Sequence, residues 1–342
     1  MSLSYCVAID DPSRVAESRR LATDVARLEG FSEQEISNAA IVASELASNL
    51  SKHAKRGELH ILPLSRCEGA GIEMVSVDHG PGFTNLSDSM IDGHSSTGTS
   101  GTGLGAVRRL SDQFDVHSVR DSGSVLISRM FSRAAERKQR NFEIGVVGRP
   151  LRGETASGDG WAVRFEGGSL LVLVVDGLGH GLMANAAANA AVESFENSKE
   201  TGPELLLRGI HQAARGTRGA AVAVVRIDSD AGEIRFAGLG NISGVVVTGT
   251  RTQSMVSHYG TAGHEGRIMR EFVYPWSRES LLVMHSDGLS ANWNYEAIRP
   301  VRHSMPSMIG AVLYKEFGRD RDDACVLVGK YNDRSQLSSG SA

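Results

Sequence analysis

Residues 170–181 read LLVLVVDGLGHG: six consecutive large aliphatic side chains, an aspartate, then glycine at every second position. Such a run is too short to span a bilayer and fits a strand buried on both faces. It ends in Asp176, and a carboxylate at the end of a buried strand is costly unless charge compensates it. The pattern recurs nearby. Asp159 lies in SGDGW (157–161), Asp287 in LLVMHSDGL (281–289), and Asp322 and Asp323 in RDDACVLVG (321–329). Taken singly, an Asp-Gly pair is an ordinary turn between strands. Several such aspartates brought together would repel, and hard divalent cations with oxygen ligands resolve that repulsion. The second half of the chain is therefore expected to hold metal.

Outward from that strand, further strands are expected at 144–147, 161–165, 220–227, 234–239, 244–247, 280–285 and 324–330. Helices are expected at about 182–196 and 204–215. Many strands with a pair of helices between them read as a β-rich sandwich flanked by helices. Residues 132–141, SRAAERKQRN, are polar and basic and form the best linker candidate. The expected division is 1–137, 138–332 and a disordered tail, 333–342. At roughly 150 residues per domain, 342 residues accommodate two cores.

The first half opens with apolar residues at helical spacing over 12–28 and 33–53. In the second stretch Ile36, Ala39, Ala40, Ala43, Leu46, Ala47 and Leu50 make one stripe. Residues 58–64, 71–77, 114–119 and 124–131 alternate like strands, and helices followed by antiparallel strands imply an α+β sandwich. Three pieces of this half carry chemistry. Glu45 and Asn49, four apart, share one helix face, where a carboxylate can accept a proton and a carboxamide can ligate Mg²⁺; a solvated polar stripe is the alternative. Asp78 begins DHGPG after a strand and can accept a hydrogen bond from an adenine amino group, or simply start a Gly/Pro turn. GTSGTGLG (98–105) leads into a helix whose N-terminal N–H groups suit a phosphate. It matches neither the P-loop nor the dinucleotide fingerprint.

The order of these three pieces, with SELASNLSKHAKRGELHI and DHGPGF, resembles the GHKL ATPases. The likeness is nearest to the anti-sigma serine kinases of the RsbT/RsbW branch, and it covers about residues 5–131. It implies that Glu45 acts as base, Asn49 ligates the Mg²⁺ of ATP, and Asp78 reads adenine. Gly80 and Gly82 would line the base pocket, and Gly101, Gly103 and Gly105 would form the phosphate lid. The second half is similar to SpoIIE/RsbX-type members of the protein phosphatase 2C superfamily over about 142–331. SGDGW, GTRGAAVAVVRID, FAGLGNISG, LLVMHSDGL and RDDACVLVG carry this likeness. It implies two Mn²⁺ or Mg²⁺ ions bridged by Asp176, with the Gly177 carbonyl assisting. Asp287 and Asp322 would complete the ion that Gly177 does not assist, and Asp159 would be an outer or second-metal ligand, the choice between Asp322 and Asp323 staying open. Asp176 and Asp287 would be the central phosphatase residues. Arg218 is either a phosphate contact or a surface arginine, and His180 and His285 are expected to pack beside the metal motifs.

Together these likenesses imply a partner-switching regulator: a serine/threonine kinase-like domain fused to a serine/threonine phosphatase. Its substrates would be STAS-type antagonist proteins, in a stressosome-like assembly. The alternative is a phosphatase whose ATP-binding module sequesters a partner without turnover. Thirty-six basic against forty acidic residues give a net charge of −4, so a nucleic-acid partner is not expected. The opening MSLSYCVAIDD lacks a signal-peptide pattern, and three scattered cysteines suggest neither disulfides nor a zinc knuckle; a cytoplasmic protein without membrane contact is expected. The composition outlier is glycine, 39 residues in all, or roughly 11% against an average of about 7%.

Overall fold

The computed structural model describes residues 4–64, 67–83, 103–135, 140–266 and 268–332. The chain divides into two compact units. One comprises Leu3–Lys138 together with His303–Lys315; the other comprises Gln139–Arg302, Glu316–Ala342 and the first two residues. The expected disordered tail, 333–342, lies outside the described residues.

In the first unit, strands β1 (Tyr5–Ala8), β2 (Gly57–Pro63), β3 (Gly71–Asp78), β4 (Gln113–Val119) and β5 (Gly123–Phe131) form an antiparallel sheet in the order β1-β2-β3-β5-β4. Helices α1 (Ser13–Leu28) and α2 (Glu33–His53) cover one face. The start of α2 is set by a capping box. Ser32 accepts from the Glu35 amide while the Glu35 side chain accepts from the Ser32 amide, an arrangement worth about 1 kcal/mol. The expected stripe is buried: Ile36, Ala39, Ala43, Leu46, Ala47 and Leu50 pack with Val7, Leu59, Ile61, Ile72 and Met74 of the sheet. A short helix α3 (Gly103–Leu110) follows the undescribed segment 84–102.

Because strand side chains alternate, residues between these core positions face the other side. That side is buried too. Arg129, 1% exposed, pairs there with Glu73 and Glu68, and donates to Ser307 Oγ at 2.9 Å. Ser307 in turn donates to Glu73 at 2.7 Å, and Tyr314 donates to Glu58 at 2.5 Å. Residues 303–315, distant in sequence, thus belong to the first unit.

The second unit holds two antiparallel sheets. One, ordered β13-β10-β9-β8-β7, comprises β7 (Asp159–Glu166), β8 (Ser169–Gly177), β9 (Ala220–Asp228), β10 (Glu233–Leu239) and β13 (Phe272–Pro275). The other, ordered β12-β11-β14-β15-β6, comprises β6 (Phe142–Arg149), β11 (Ser243–Thr248), β12 (Arg251–Ser254), β14 (Leu281–His285) and β15 (Ala324–Tyr331). Helices α4 (Gly181–Asn197) and α5 (Pro203–Ala213) bury Ala187, Ala191, Phe195, Leu206 and Ile210 against Leu171, Leu173, Val175 and Val222 of the first sheet. The two sheets face each other: Gly329 of β15 lies against Leu170 of β8, and Gly244 of β11 against the Phe236 ring of β10. After β14 come a turn of helix α6 (Tyr295–Ile298) and then helix α7 (Pro306–Phe317), whose residues up to Lys315 belong to the first unit. Mixed helix and antiparallel sheet in two units is the architecture expected from the sequence.

Candidate functional site

The aspartates of the second unit arrive from both sheets. Asp159 opens β7 and Asp176 closes β8, and the antiparallel register sets them directly opposite each other. Asp287 follows β14 and Asp322 precedes β15, strands that pair through His285 and Val326. Ser286 ties the sheets together. Its hydroxyl donates to Asp159 Oδ2 at 2.5 Å and accepts from the Cys325 amide at 3.1 Å. The glycine after Asp287 is required by this convergence, because a Cβ on Gly288 would overlap the Asp323 carbonyl.

The two adjacent acids of 322–323 have different surroundings. Asp323 is 2% exposed, and each of its oxygens accepts a backbone N–H: Leu151 at 2.7 Å and Gly158 at 2.8 Å. It staples the loop before β7 to the start of β15. Asp322 is only half-buried, accepts the Asp323 amide at 2.9 Å, and adds its charge to those of Asp176 and Asp287.

The cluster is electrostatically unbalanced. Asp176 is pushed up to about 7, first by burial and then by the charges of Asp287, Asp322 and Asp323. Burial and the neighbouring Asp176 push Asp159 well above the usual carboxylate range, although the Ser286 hydrogen bond opposes them. Asp287 is also raised, by burial and then by Asp322, while Arg319 and the 2.8 Å bond from Asn241 Nδ2 pull it down. Asp159 Oδ1 is shut off from solvent and has no hydrogen-bond partner among the described residues. An orphaned carboxylate oxygen among mutually repelling acids fits a divalent cation with hard oxygen ligands. Asp159, Asp176, Asp287, Asp322 and the Gly177 carbonyl can supply those oxygens.

The flanking histidines do other work. His285 is buried; its Nε2 accepts from Trp293 Nε1 at 3.2 Å, which leaves Nδ1 to donate to the Ser286 carbonyl at 2.8 Å. His180 is exposed and pairs with Glu154 at 2.6 Å. The Arg218 guanidinium lies against Gly179, in the loop that follows Asp176. Ser286, Asn241 and Arg319, which position the acids, were not singled out from sequence. Asn241 stands in the FAGLGNISG stretch, the one signal that pointed toward it.

In the first unit, the three sequence pieces converge in part. Glu45 and Asn49 are both half-buried on α2, and a Cβ placed on Gly103 would sit 3.1 Å from Glu45 Oε2 and 3.9 Å from Asn49 Oδ1. The N-terminus of α3, with Gly103 and Gly105 in its first turn, therefore abuts that pair. Asp78, 8% exposed, accepts the Gly80 amide at 2.6 Å and the Ser124 amide at 3.1 Å, with the Ser124 hydroxyl also donating. A carboxylate has about four acceptor positions, so one remains for a ligand donor. Gly82 has φ +70°, and Ser118 Oγ accepts from the following Phe83 amide at 2.9 Å. Gly101 and the rest of the expected phosphate lid lie outside the described residues.

Comparison with known proteins follows the same division. Residues 9–130 match the family model of the histidine kinase-like ATPase domain, and residues 166–331 match that of stage II sporulation protein E, SpoIIE. The serine/threonine-protein kinase RsbT of Bacillus subtilis is 32% identical over 124 residues, which are 36% of this chain and 93% of RsbT. The phosphoserine phosphatase RsbX of the same organism is 23% identical over 143 residues, 40% of this chain and 70% of RsbX. Among solved structures, a chain from work on the bacterial stressosome is 28% identical with a TM-score of 0.52, covering 55% of this chain and 99% of its own length. RsbX in complex with magnesium shares the fold, with a TM-score of 0.51 at 19% identity, over 56% of this chain and 96% of that one.

Proposed function

Since the chain belongs to the histidine kinase-like ATPase family through residues 9–130 and carries a SpoIIE-type phosphatase domain over residues 166–331, we propose that it both adds phosphate to and removes it from serine or threonine of a regulatory partner. The partner class we propose is the STAS-domain antagonist, in an assembly of stressosome type. The observation that carries the phosphatase half is the convergence of Asp159, Asp176, Asp287 and Asp322, with one buried oxygen that has no hydrogen-bond partner among the described residues.

In this reading the carboxylates of Asp159, Asp176, Asp287 and Asp322 and the Gly177 carbonyl would hold two Mg²⁺ or Mn²⁺ ions. When bound, such ions supply an acidified water and neutralise phosphoryl charge during in-line displacement. The chain's own residues do the positioning. Asn241 orients Asp287, Ser286 fixes Asp159, and Asp323 holds the loop that aims Asp322 inward. This division of labour favours Asp322 over Asp323 as the ligand, because both oxygens of Asp323 are already taken by backbone amides. Arg218, whose guanidinium lies against Gly179 in the loop after Asp176, would contact a phosphoryl oxygen of the partner.

In the ATPase half, Asp78 takes the adenine amino group while Gly80 and Gly82 let the backbone approach the ring. Asn49 would hold the Mg²⁺ of ATP, Gly103 and Gly105 at the start of α3 would face its phosphates, and Glu45 would accept the proton of the partner's hydroxyl. Two opposed activities on one acceptor would hydrolyse ATP to no effect, so we propose reciprocal control or separate acceptors. A cytoplasmic setting accords with three cysteines outside any disulfide. Among the described residues no helix is long and apolar enough to cross a membrane.

The experiment has two arms: candidate STAS proteins with ATP and Mg²⁺, and their phosphorylated forms with Mg²⁺ or Mn²⁺. Phosphoryl transfer abolished by Asn49→Ala, and phosphate release abolished by Asp176→Ala, is the expected result. ATP binding without transfer to any partner would leave the first domain a sequestering module, and release that survives Asp176→Ala would refute the phosphatase site.

A further inference from the structure

A second cluster of ligand-type side chains lies in the first unit, among residues assigned to neither site. Cys6 of β1 stands directly opposite His60 of β2, and Glu58, two residues before His60, shares its face of the sheet. This is the face turned from α1 and α2. His60 is fully buried and Glu58 is 7% exposed, whereas Cys6 keeps partial access to solvent. One ligand atom from each of the three lies within 4.8 Å of the other two.

The separations discriminate between chemistries. Cys6 Sγ is 4.0 Å and Glu58 Oε2 is 3.7 Å from the same imidazole nitrogen, Nε2 of His60. A nucleophilic triad would set its thiol and carboxylate on opposite nitrogens of the ring. A single N–H cannot serve both neighbours well, and 3.7 Å is beyond a good hydrogen bond. For ligands held at about 2.0–2.3 Å around a tetrahedral cation, neighbouring ligand atoms stand about 3.3–3.8 Å apart. The observed spacing is close to that. The donor set of one sulfur, one nitrogen and one oxygen is that of zinc, not of Mg²⁺ or Ca²⁺.

The surroundings agree. Tyr314 of α7 donates to Glu58 Oε2 at 2.5 Å, and its ring meets the His60 ring edge-on at 5.4 Å between centroids. Such a hydrogen bond to a ligating carboxylate is how proteins fix ligand orientation.

We propose that Cys6, Glu58 and His60 bind one Zn²⁺ per chain, independent of the phosphatase aspartates, with a fourth position open to solvent beside Cys6. The test uses the full chain and Co²⁺ as a spectroscopic probe. A near-ultraviolet thiolate-to-cobalt charge-transfer band should appear at one equivalent, be displaced by Zn²⁺, and be absent from Cys6→Ser. Cys67→Ser, Cys325→Ser and Asp176→Asn should keep it, and Tyr314→Phe should weaken cobalt affinity about tenfold. In the unaltered chain, Zn²⁺ but not Mg²⁺ should slow alkylation of Cys6, read by peptide mass spectrometry, at least tenfold. No cobalt band, a band that persists in Cys6→Ser, or Cys6 alkylation indifferent to Zn²⁺ would overturn the proposal and leave a buried ionic cluster only.

Discussion

Replacing Asp176 by Asn should stabilise the metal-free protein while abolishing phosphatase activity. The native carboxyl sits at about 7 where an ordinary aspartate has 3.8. That gap of about 3 units, at about 1.4 kcal/mol each, amounts to about 4 kcal/mol of destabilisation once the group is ionised. The sign follows from proton counting. Between pH 4 and 7 the native state binds more protons at Asp176 than the unfolded state, so metal-free stability falls as pH rises through that window. Asn carries no charge to desolvate and none to repel Asp287, Asp322 and Asp323, so the variant escapes this loss. In EDTA at pH 8 it should melt about 10 °C above the unaltered protein, by the usual conversion for a unit of this size. At pH 5 the advantage should shrink to under about 2 kcal/mol. Excess Mg²⁺ should raise the melting temperature of the unaltered chain and leave the variant nearly unmoved. Thermal unfolding followed by circular dichroism at both pH values, with and without Mg²⁺, measures all of this. A variant no more stable than the parent in EDTA at pH 8 would refute the claim that these acids repel one another across an ion-binding site.

Three further outcomes follow from other parts of the molecule. Gly288→Ala should cost about 2–3 kcal/mol in chemical denaturation, because its Cβ would overlap the Asp323 carbonyl. Arg129→Met, which leaves Glu73 and Glu68 without their buried partner, should cost about 3–5 kcal/mol by the same measurement. Asn49→Ala and Asp78→Asn should each weaken Mg²⁺-ATP binding at least tenfold in calorimetry, without lowering Mg²⁺-dependent phosphate release by the second unit.

Much of the fold was legible where one periodicity dominated. The stripe of α2 and the alternating strands of the first unit lie where their patterns put them, and the apolar run at 170–175 is a central strand of its sheet. Helix α7 was not read, and the reason is physical. Every residue from Pro306 to Tyr314 is buried, so the segment has no polar face to mark a helical period. Strands β1, β12 and β13 have only four residues each, and β13 ends in Pro275, too little length for alternation to register. At the sites, residue type and strand-end position found the aspartates, but sequence could not separate Asp322 from Asp323. Their difference lies in the backbone amides of Leu151 and Gly158, which are distant in sequence. Ser286 and Ser124 escaped notice likewise, because a serine becomes a positioning group only through the carboxylate that the fold brings to it.

We propose that acids from two facing sheets form a cation-dependent phosphatase centre. The most direct measurement is release of inorganic phosphate from a phosphoseryl substrate by the full chain, with Mg²⁺, with EDTA, and with Asp287→Asn in Mg²⁺. Release is expected in the first case, and loss of at least a hundredfold in the other two. Equal rates in EDTA, or an Asp287→Asn rate matching that of the unaltered chain, would contradict it.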